Sequence, residues 1–438
     1  MKHSFTQLVD FLKQKITTNE QFLLNLSAEE SDFVRLNHNK IRQAGHVKQI
    51  HLSLKLIQGE KHATGNISLM GESEEDFVRI HRLLNHLRSQ LPFLPDDPYL
   101  NFSTEINQTE TEHSSHLPES QQMIDDIIHT ADTLDLVGIF ASGTQYQAFA
   151  NSFGQYNWYM NNNFNFDFSC YLEKDKAVKS GYAGYQWDKA SFVQRIKNAK
   201  QQLDILKIPE KIIQPGQYRV YLAPSALAEI LSMMAWGGFG LKSHKTAQTP
   251  LLKMTKENRH LSSLVTLSEN YTMGLTPPFT RQGFIKPKQV TLIKQGKYQD
   301  CLTSPRSAKE YDQIVNADSE MPSSLELQKG QLKQDDILQT LETGLYINNL
   351  WYCNYSDRNE ARITGMTRFA CFWVENGEIK APISVMRFDD SIYSMLGNNL
   401  LALTQQQDFI LDPDTYSQRS TASIKLPGAL IENFTLTL

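Results

Sequence analysis

The chain has 438 residues, 40% of them apolar and 21% charged, which is ordinary globular composition with enough Leu, Phe, Tyr and Trp for sizeable cores. Its net charge of −5 is spread without long like-charge runs, which argues against a nucleic-acid protein with its basic stripe. No apolar run approaches the ~18 residues of a membrane helix. The four cysteines, Cys170, Cys301, Cys353 and Cys371, form no C-x-x-C pair, so a disulfide framework or cysteine zinc site is not expected and a reducing cytoplasm fits best.

MKHSFTQLVDFLKQKI lacks the continuous apolar core of a secretory signal. Phe5, Leu8, Val9, Leu12 and Ile16 instead have the spacing of an amphipathic helix. Glu20–Ser27 reads as a short strand and Ser31–Gln43 as a second strand and turn. His46–Ile57 alternates like a half-buried strand, and a turn at Gln58–Lys61 leads to another over His62–Met70. Glu74–Gln90 carries Phe77, Ile80, Leu83, Leu84 and Leu87 on one helical face, ended by the proline-rich Leu91–Pro98. Asn101–Pro118 is polar and reads as a surface loop. It holds His113 and His116, whose i, i+3 spacing would suit a metal on a helix, but no third ligand lies nearby.

A helix over Ser120–Leu134 and a buried strand over Leu136–Ala141 follow. Phe164, Phe166, Phe168 and Cys170 alternate with Asn163, Asn165, Asp167 and Ser169, as in a hairpin packing one face on a core. Stacked nucleic-acid bases are the other use of such a face, and the absence of Lys or Arg between Asn151 and Leu172 argues against it. Ala177–Trp187 returns as a strand and Lys189–Leu206 as a helix. Two prolines and a glycine in Lys207–Gln217 mark a domain boundary, giving domains 1–206 and 207–438.

The strand Tyr218–Leu222 feeds a helix over Ala223–Gly240. Pro224 suits its first turn. Leu227, Ile230, Leu231 and Met234 share one face, Ala226, Met233 and Trp236 the other, with Glu229 and Ser232 as polar interruptions, so burial nearly all round is expected. Gly237 and Gly238 end it. Leu241–Leu267 is polar and irregular. Val290–Lys294 and Tyr298–Thr303 form a hairpin, and Gln334–Leu341 is a helix that Gly344 ends. Phe369–Val374 and Glu378–Ile383 form a second hairpin, turned at Asn376-Gly377 as a type I′ turn requires. Ile392–Leu403 has helical spacing, and Ser423–Leu426 and Asn433–Leu438 are strands. Helices and strands segregate, so the class is α+β, with an N-terminal sheet-and-helix domain and a C-terminal, mainly β domain around a buried central helix.

Several segments, in order, resemble the TldD/PmbA family, the modulator of DNA gyrase proteins related to zinc metallopeptidases. They are VRLNHNKIRQ at Val34–Gln43, VYLAPS at Val220–Ser225, Gly283–Tyr311, Pro322–Gly330, and above all GLYI with ITGMTRFACFWVENGEI, Pro382 and SMLGNNLLAL. In TldD-type members the helix after that strand carries H-E-x-x-x-H, with imidazoles as zinc ligands and glutamate as general base. The resemblance lays those positions on Ser232, Met233 and Gly237, none of which can serve. A shifted register puts Glu229 on the glutamate but Ala228 and Met233 on the histidines. The family's C-terminal cysteine is absent from Gln418–Lys425, and its acidic pattern reads Phe279-Thr280-Arg281-Gln282-Gly283 here.

The resemblance therefore implies the zinc-less PmbA (TldE) side of the family. It implies a cytoplasmic, non-catalytic subunit with no cofactor of its own, paired with a zinc-bearing TldD-like peptidase or with itself, acting on small or unfolded peptides. Thr364, Gly365, Arg368, Trp373 and Asn376 are its candidate peptide-groove residues. Two other readings stay open: a stand-alone peptide-binding homodimer that adds a strand at a sheet edge, and a hydrolase with Cys301, Cys353 or Cys371 as nucleophile and His244 or His260 as base.

Overall fold

The computed structural model describes all residues except Glu72, Ser114, His116 and Leu438, and not the side chain of Ser73. Its architecture is the expected α+β, built on two sheets. The first contains β1 (Gln21–Asn37), β2 (Lys40–Gln58), β3 (Lys61–Leu69), β4 (Gln108–His113), β5 (Asp135–Asn151), β6 (Tyr156–Glu173) and β7 (Lys176–Gly184). Their order is β3-β2-β1-β5-β6-β4, with β7 also on β6.

Strand parity organises this sheet. Phe22, Leu24, Leu26 and Ala28 of β1 pack with α1 (Lys2–Lys15) and α2 (Ser73–Gln90) through Phe5, Leu8, Leu12, Ile80, Leu84 and Leu87. Farther along, Phe164, Phe166, Phe168 and Cys170 of β6 are buried against α3 (Ser120–Thr130) and α4 (Lys189–Leu206). The aromatic alternation is thus a core face. The opposite face turns toward the second half of the chain.

The second sheet contains β8 (Gly216–Leu222), β9 (Leu267–Asn270), β10 (Gln289–Lys294), β11 (Lys297–Tyr298), β12 (Ser324–Leu327), β13 (Gly344–Asp357), β14 (Arg362–Glu375), β15 (Glu378–Pro382), β16 (Arg387–Ser391), β17 (Leu400–Leu411) and β18 (Ser423–Leu436). Its order is β11-β10-β9-β12-β18-β16-β14-β13-β8, and β18 also pairs with β8, so five strands close on themselves. Helix α5 (Pro224–Gly238) leaves β8 and packs Leu227, Ile230, Leu231 and Met234 into the core of this sheet.

Several local expectations change. Glu20–Ser27 and Ser31–Gln43 are one continuous strand turning at Asn37, because β1 pairs along its length with both β2 and β5. Ile392–Leu403 is helical only at its start: a short helical stretch ends with the π-helix Ser394–Asn398, broken at Gly397, and β17 begins at Leu400, paired to β18. The polar segment before α3 contains β4, which lies parallel to β6. His113 ends that strand, its ring edge-on to Tyr159, while His116 lies outside the described residues.

Candidate functional site

Helix α5 starts on Pro224 and unwinds at Trp236 and Gly237, whose φ of 76° is the left-handed conformation that glycine adopts without strain. The helix is not buried all round. Ser225, Glu229, Ser232 and Trp236 form one stripe at i, i+4, i+7 and i+11, away from the core face, and Trp236 is 54% exposed.

The upper part of that stripe borders a cleft of about 1030 Å³ between the two sheets. β6, β7 and α4 form one wall, and α5, β13 and β17 the other. Ion pairs cross the first wall from Lys179 to Asp167 (2.7 Å) and link Arg195 to Asp408 across the cleft (3.1 Å). Ser225 donates to the Asn348 carbonyl at 2.7 Å, fixing the helix start to β13. Glu229 opens into the cleft, yet the flanking protein removes enough water to raise its carboxyl above the usual range, against an opposing pull from Lys179.

The three positions that the sequence aligned with the zinc motif do not converge. Ser232 faces solvent. Met233 is buried, and its carbonyl accepts a hydrogen bond from the Tyr355 hydroxyl at 2.6 Å. Gly237 forms the helix end, closed by Arg358, which donates to the Trp236 carbonyl at 2.8 Å and lies over the Trp236 and Tyr355 rings. Zinc needs three or four His, Cys or carboxylate ligands around one point. On the exposed stripe of α5, Glu229 is the sole such group, and the Cys353 thiol that feels its charge is pushed up to about 12 by burial. These residues do not fit a zinc ion. Among the described residues, no group of three His, Cys, Asp or Glu side chains is placed to hold a metal anywhere.

The proposed groove residues are scattered along β14. The Thr364 hydroxyl donates to the Phe388 carbonyl, and Gly365 gives the Phe388 ring and Cys353 room that a Cβ would take. Arg368 lies over the Trp351 and Phe369 rings. Trp373, about 17 Å farther along the strand at ~3.3 Å per residue, packs under Lys211 and edge-on to Tyr218. Asn376 and Gly377, both at positive φ, turn β14 into β15. None of the five lines the cleft.

The cysteine readings find no activated pair. The thiols of Cys301, Cys353 and Cys371 are all raised by burial, the opposite of what a nucleophile needs. Burial also lowers the basicity of His244, whose Nε2 engages the Gly238 carbonyl, while His260 engages Asn258. All four cysteines are free.

A second cavity, of about 680 Å³, lies between the polar face of the first sheet and the segment 271–323. The strap 412–422, between β17 and β18, contributes to both: Pro413 borders the cleft, and Ser417, Gln418 and Thr421 border the second cavity. Arg419 pins the strap. It is 3% exposed and donates to the Ser31 hydroxyl (3.2 Å), the Gly143 carbonyl (3.3 Å), the Asn163 carbonyl (3.0 Å) and the Asn163 side chain. Buried Glu29 is its counterion and accepts from the Arg419 backbone N–H at 3.3 Å.

Residues 215–438 match the family model described as PmbA/TldA metallopeptidase C-terminal domain. The chain belongs to the PmbA/TldD family. Its fold is similar over 99% of both chains to a proposed modulator of a DNA gyrase from Thermotoga maritima, with TM-score 0.77 and 13% identity. TldE from Thermococcus kodakarensis aligns over 99% of this chain and 100% of its own at 14% identity and TM-score 0.76. A proposed modulator of DNA gyrase from Bacteroides thetaiotaomicron aligns over 100% and 98% at 14% identity and TM-score 0.72. No curated protein sequence matches. In this PmbA/TldD chain, α5 follows its strand as the sequence resemblance anticipated, but its exposed stripe carries serine, glutamate and tryptophan instead of histidine.

Sequence reasoning missed Lys286, Glu269 and Arg419. Each is a charged residue in a loop or short strand, and nothing local distinguishes it from a surface charge.

Proposed function

We propose that this chain is a non-catalytic, zinc-less member of the PmbA/TldD family that takes part in peptide processing by pairing with a TldD-like peptidase subunit. One observation carries the reading. The helix in the family's active-site position is kept, with a Pro224 start and a Gly237 stop, while its cleft-side stripe offers a single carboxylate, Glu229, and no imidazole. A lone carboxylate cannot hold zinc or activate a zinc-bound water. The cleft then serves to receive peptide, and chemistry is supplied by the partner's metal. The division into units 1–206 and 207–438, a cytoplasmic location and the absence of a cofactor on this chain belong to the same proposal. No helix among the described residues is long and apolar enough to cross a membrane.

The test is elemental analysis after incubation with zinc, followed by peptidase assays alone and with a TldD-like subunit. Less than about a tenth of an equivalent of zinc, no activity alone and activity with the partner are expected. One tightly held equivalent, or hydrolysis by the purified chain, would overturn the reading. Peptide binding by a homodimer that ignores any TldD-like protein would favour the stand-alone binding reading instead.

A further inference from the structure

The second cavity is lined by an ammonium for which no hydrogen-bond acceptor is found among the described residues. Lys286 lines the cavity and is 8% exposed. Its Nζ sits 3.8 Å from the centre of the Tyr271 ring, a cation–π contact that supplies attraction but no hydrogen-bond acceptor. Among the described residues it has no carboxylate within ion-pair distance. The nearby Glu269 is 1% exposed, and both its oxygens are occupied by the Ser323 and Ser324 backbone N–H groups and the Ser323 hydroxyl. Asp318 is held by Arg281, through the backbone N–H at 2.6 Å and Nε at 2.9 Å. An ammonium has three donors, and here they face the cavity, where an entering acceptor can meet them. Thr276 adds a buried orphan to the same wall: it is 7% exposed and its hydroxyl has no partner among the described residues.

The rest of the cavity has a definite chemistry. Its floor is the odd-parity face of the first sheet, where Asn25 lies opposite Ser53 and Ser27 opposite His51, an uncharged, hydrogen-bonding surface. Its wall mixes apolar Pro277, Phe279 and Met321 with the mutually paired Arg281 and Asp318. A polar floor, a partly apolar wall whose one ion pair is internally neutralised, and one further cation without a carboxylate partner suit an amphipathic ligand ending in a single negative charge.

We propose that this cavity binds an organic carboxylate, with the Lys286 ammonium and the Thr276 hydroxyl receiving the carboxylate oxygens and the strand face of β1 and β2 receiving the body of the ligand. A peptide C-terminus and a free small acid share this chemistry. The assignment is independent of any peptidase partner and of the cleft beside α5.

Isothermal titration of the full-length chain with N-acetyl-Ala-Ala-Phe as free acid, with its C-terminal amide and with sodium acetate tests it. The free acid is expected to bind at least tenfold more tightly than the amide. K286Q should weaken the free acid at least tenfold, and T276V several-fold, with circular dichroism unchanged. Acetate binding as tight as the peptide's would assign the site to small acids, and tighter peptide binding to a peptide end; both uphold a carboxylate site. Equal affinity for acid and amide, no binding of any probe at millimolar concentration, or full affinity in both K286Q and T276V would overturn it. A zinc-loaded or active chain would defeat the partner reading above without touching this result.

Discussion

Replacing Arg419 with methionine tests the buried charge that fastens the strap between the sheets. The guanidinium makes four contacts with three residues of the first sheet, and Glu29, 2% exposed, is its counterion. Methionine fills most of the volume, so a large cavity is not the issue. What remains is a buried carboxylate without its counterion and acceptors on Ser31, Gly143 and Asn163 without their donor. Removing one member of such a pair costs about 3–5 kcal/mol. For a chain of 438 residues, an unfolding entropy near 2 cal/mol/K per residue converts this to a fall of about 4 °C if the molecule melts as one unit. Differential scanning fluorimetry reads the shift, and hydrogen exchange at residues 412–422 reads the release of the strap. Adding E29Q should return part of the loss, because it removes the stranded charge. An R419M chain within 1 °C of the parent, or an E29Q/R419M chain no more stable than R419M, would refute the reasoning.

Two further outcomes follow from burial and close packing. Burial lowers the Lys286 amine to about 8, opposed by Glu269 and Asp318, below the 10.4 of a free lysine. Between those values the unfolded chain binds more protons than the folded one, so this group's contribution to stability rises with pH through that window and its full penalty applies below it. Urea denaturation of the parent and K286M from pH 7 to 10 should show the parent gaining on the variant as pH rises; parallel curves would contradict it. At Gly344, a Cβ would lie 2.1 Å from the Arg219 carbonyl oxygen of the paired strand β8. G344A should therefore cost about 2–3 kcal/mol by forcing the β8–β13 pair apart. A loss under 0.5 kcal/mol in chemical denaturation would show that the pair yields freely.

Local chemistry made much of this fold readable. The alternation from Phe164 to Cys170 gave a buried face, and Asn376-Gly377 gave a tight turn with both residues at positive φ. Helix α5 was readable in its limits, from Pro224 to the glycines. Its exposed stripe was harder: Trp236 counts as apolar in any pattern, yet it sits outside, covered in part by Arg358 from a distant turn. SMLGNNLLAL has helical spacing, but Leu400–Leu411 is a strand because β18 supplies its hydrogen bonds. Tertiary pairing overrides local preference there. The buried charges were illegible for a related reason. Arg419 and Glu29 are 390 residues apart, and the cavity that gives Lys286 its setting joins the first sheet to the segment 271–323.

Strand β18 pairs with β8, β12, β16 and β17, and every one of these precedes it in the chain. As the polypeptide is made, the first sheet can acquire all its strands by residue 184. The second cannot: its central strand has not been synthesised until residue 436, so β8, β12 and β17 must wait with unsatisfied edges. The nascent protein therefore passes through a long interval as one finished half and one open half. During that interval the exposed strand edges are the part most in need of a chaperone or of a partner chain.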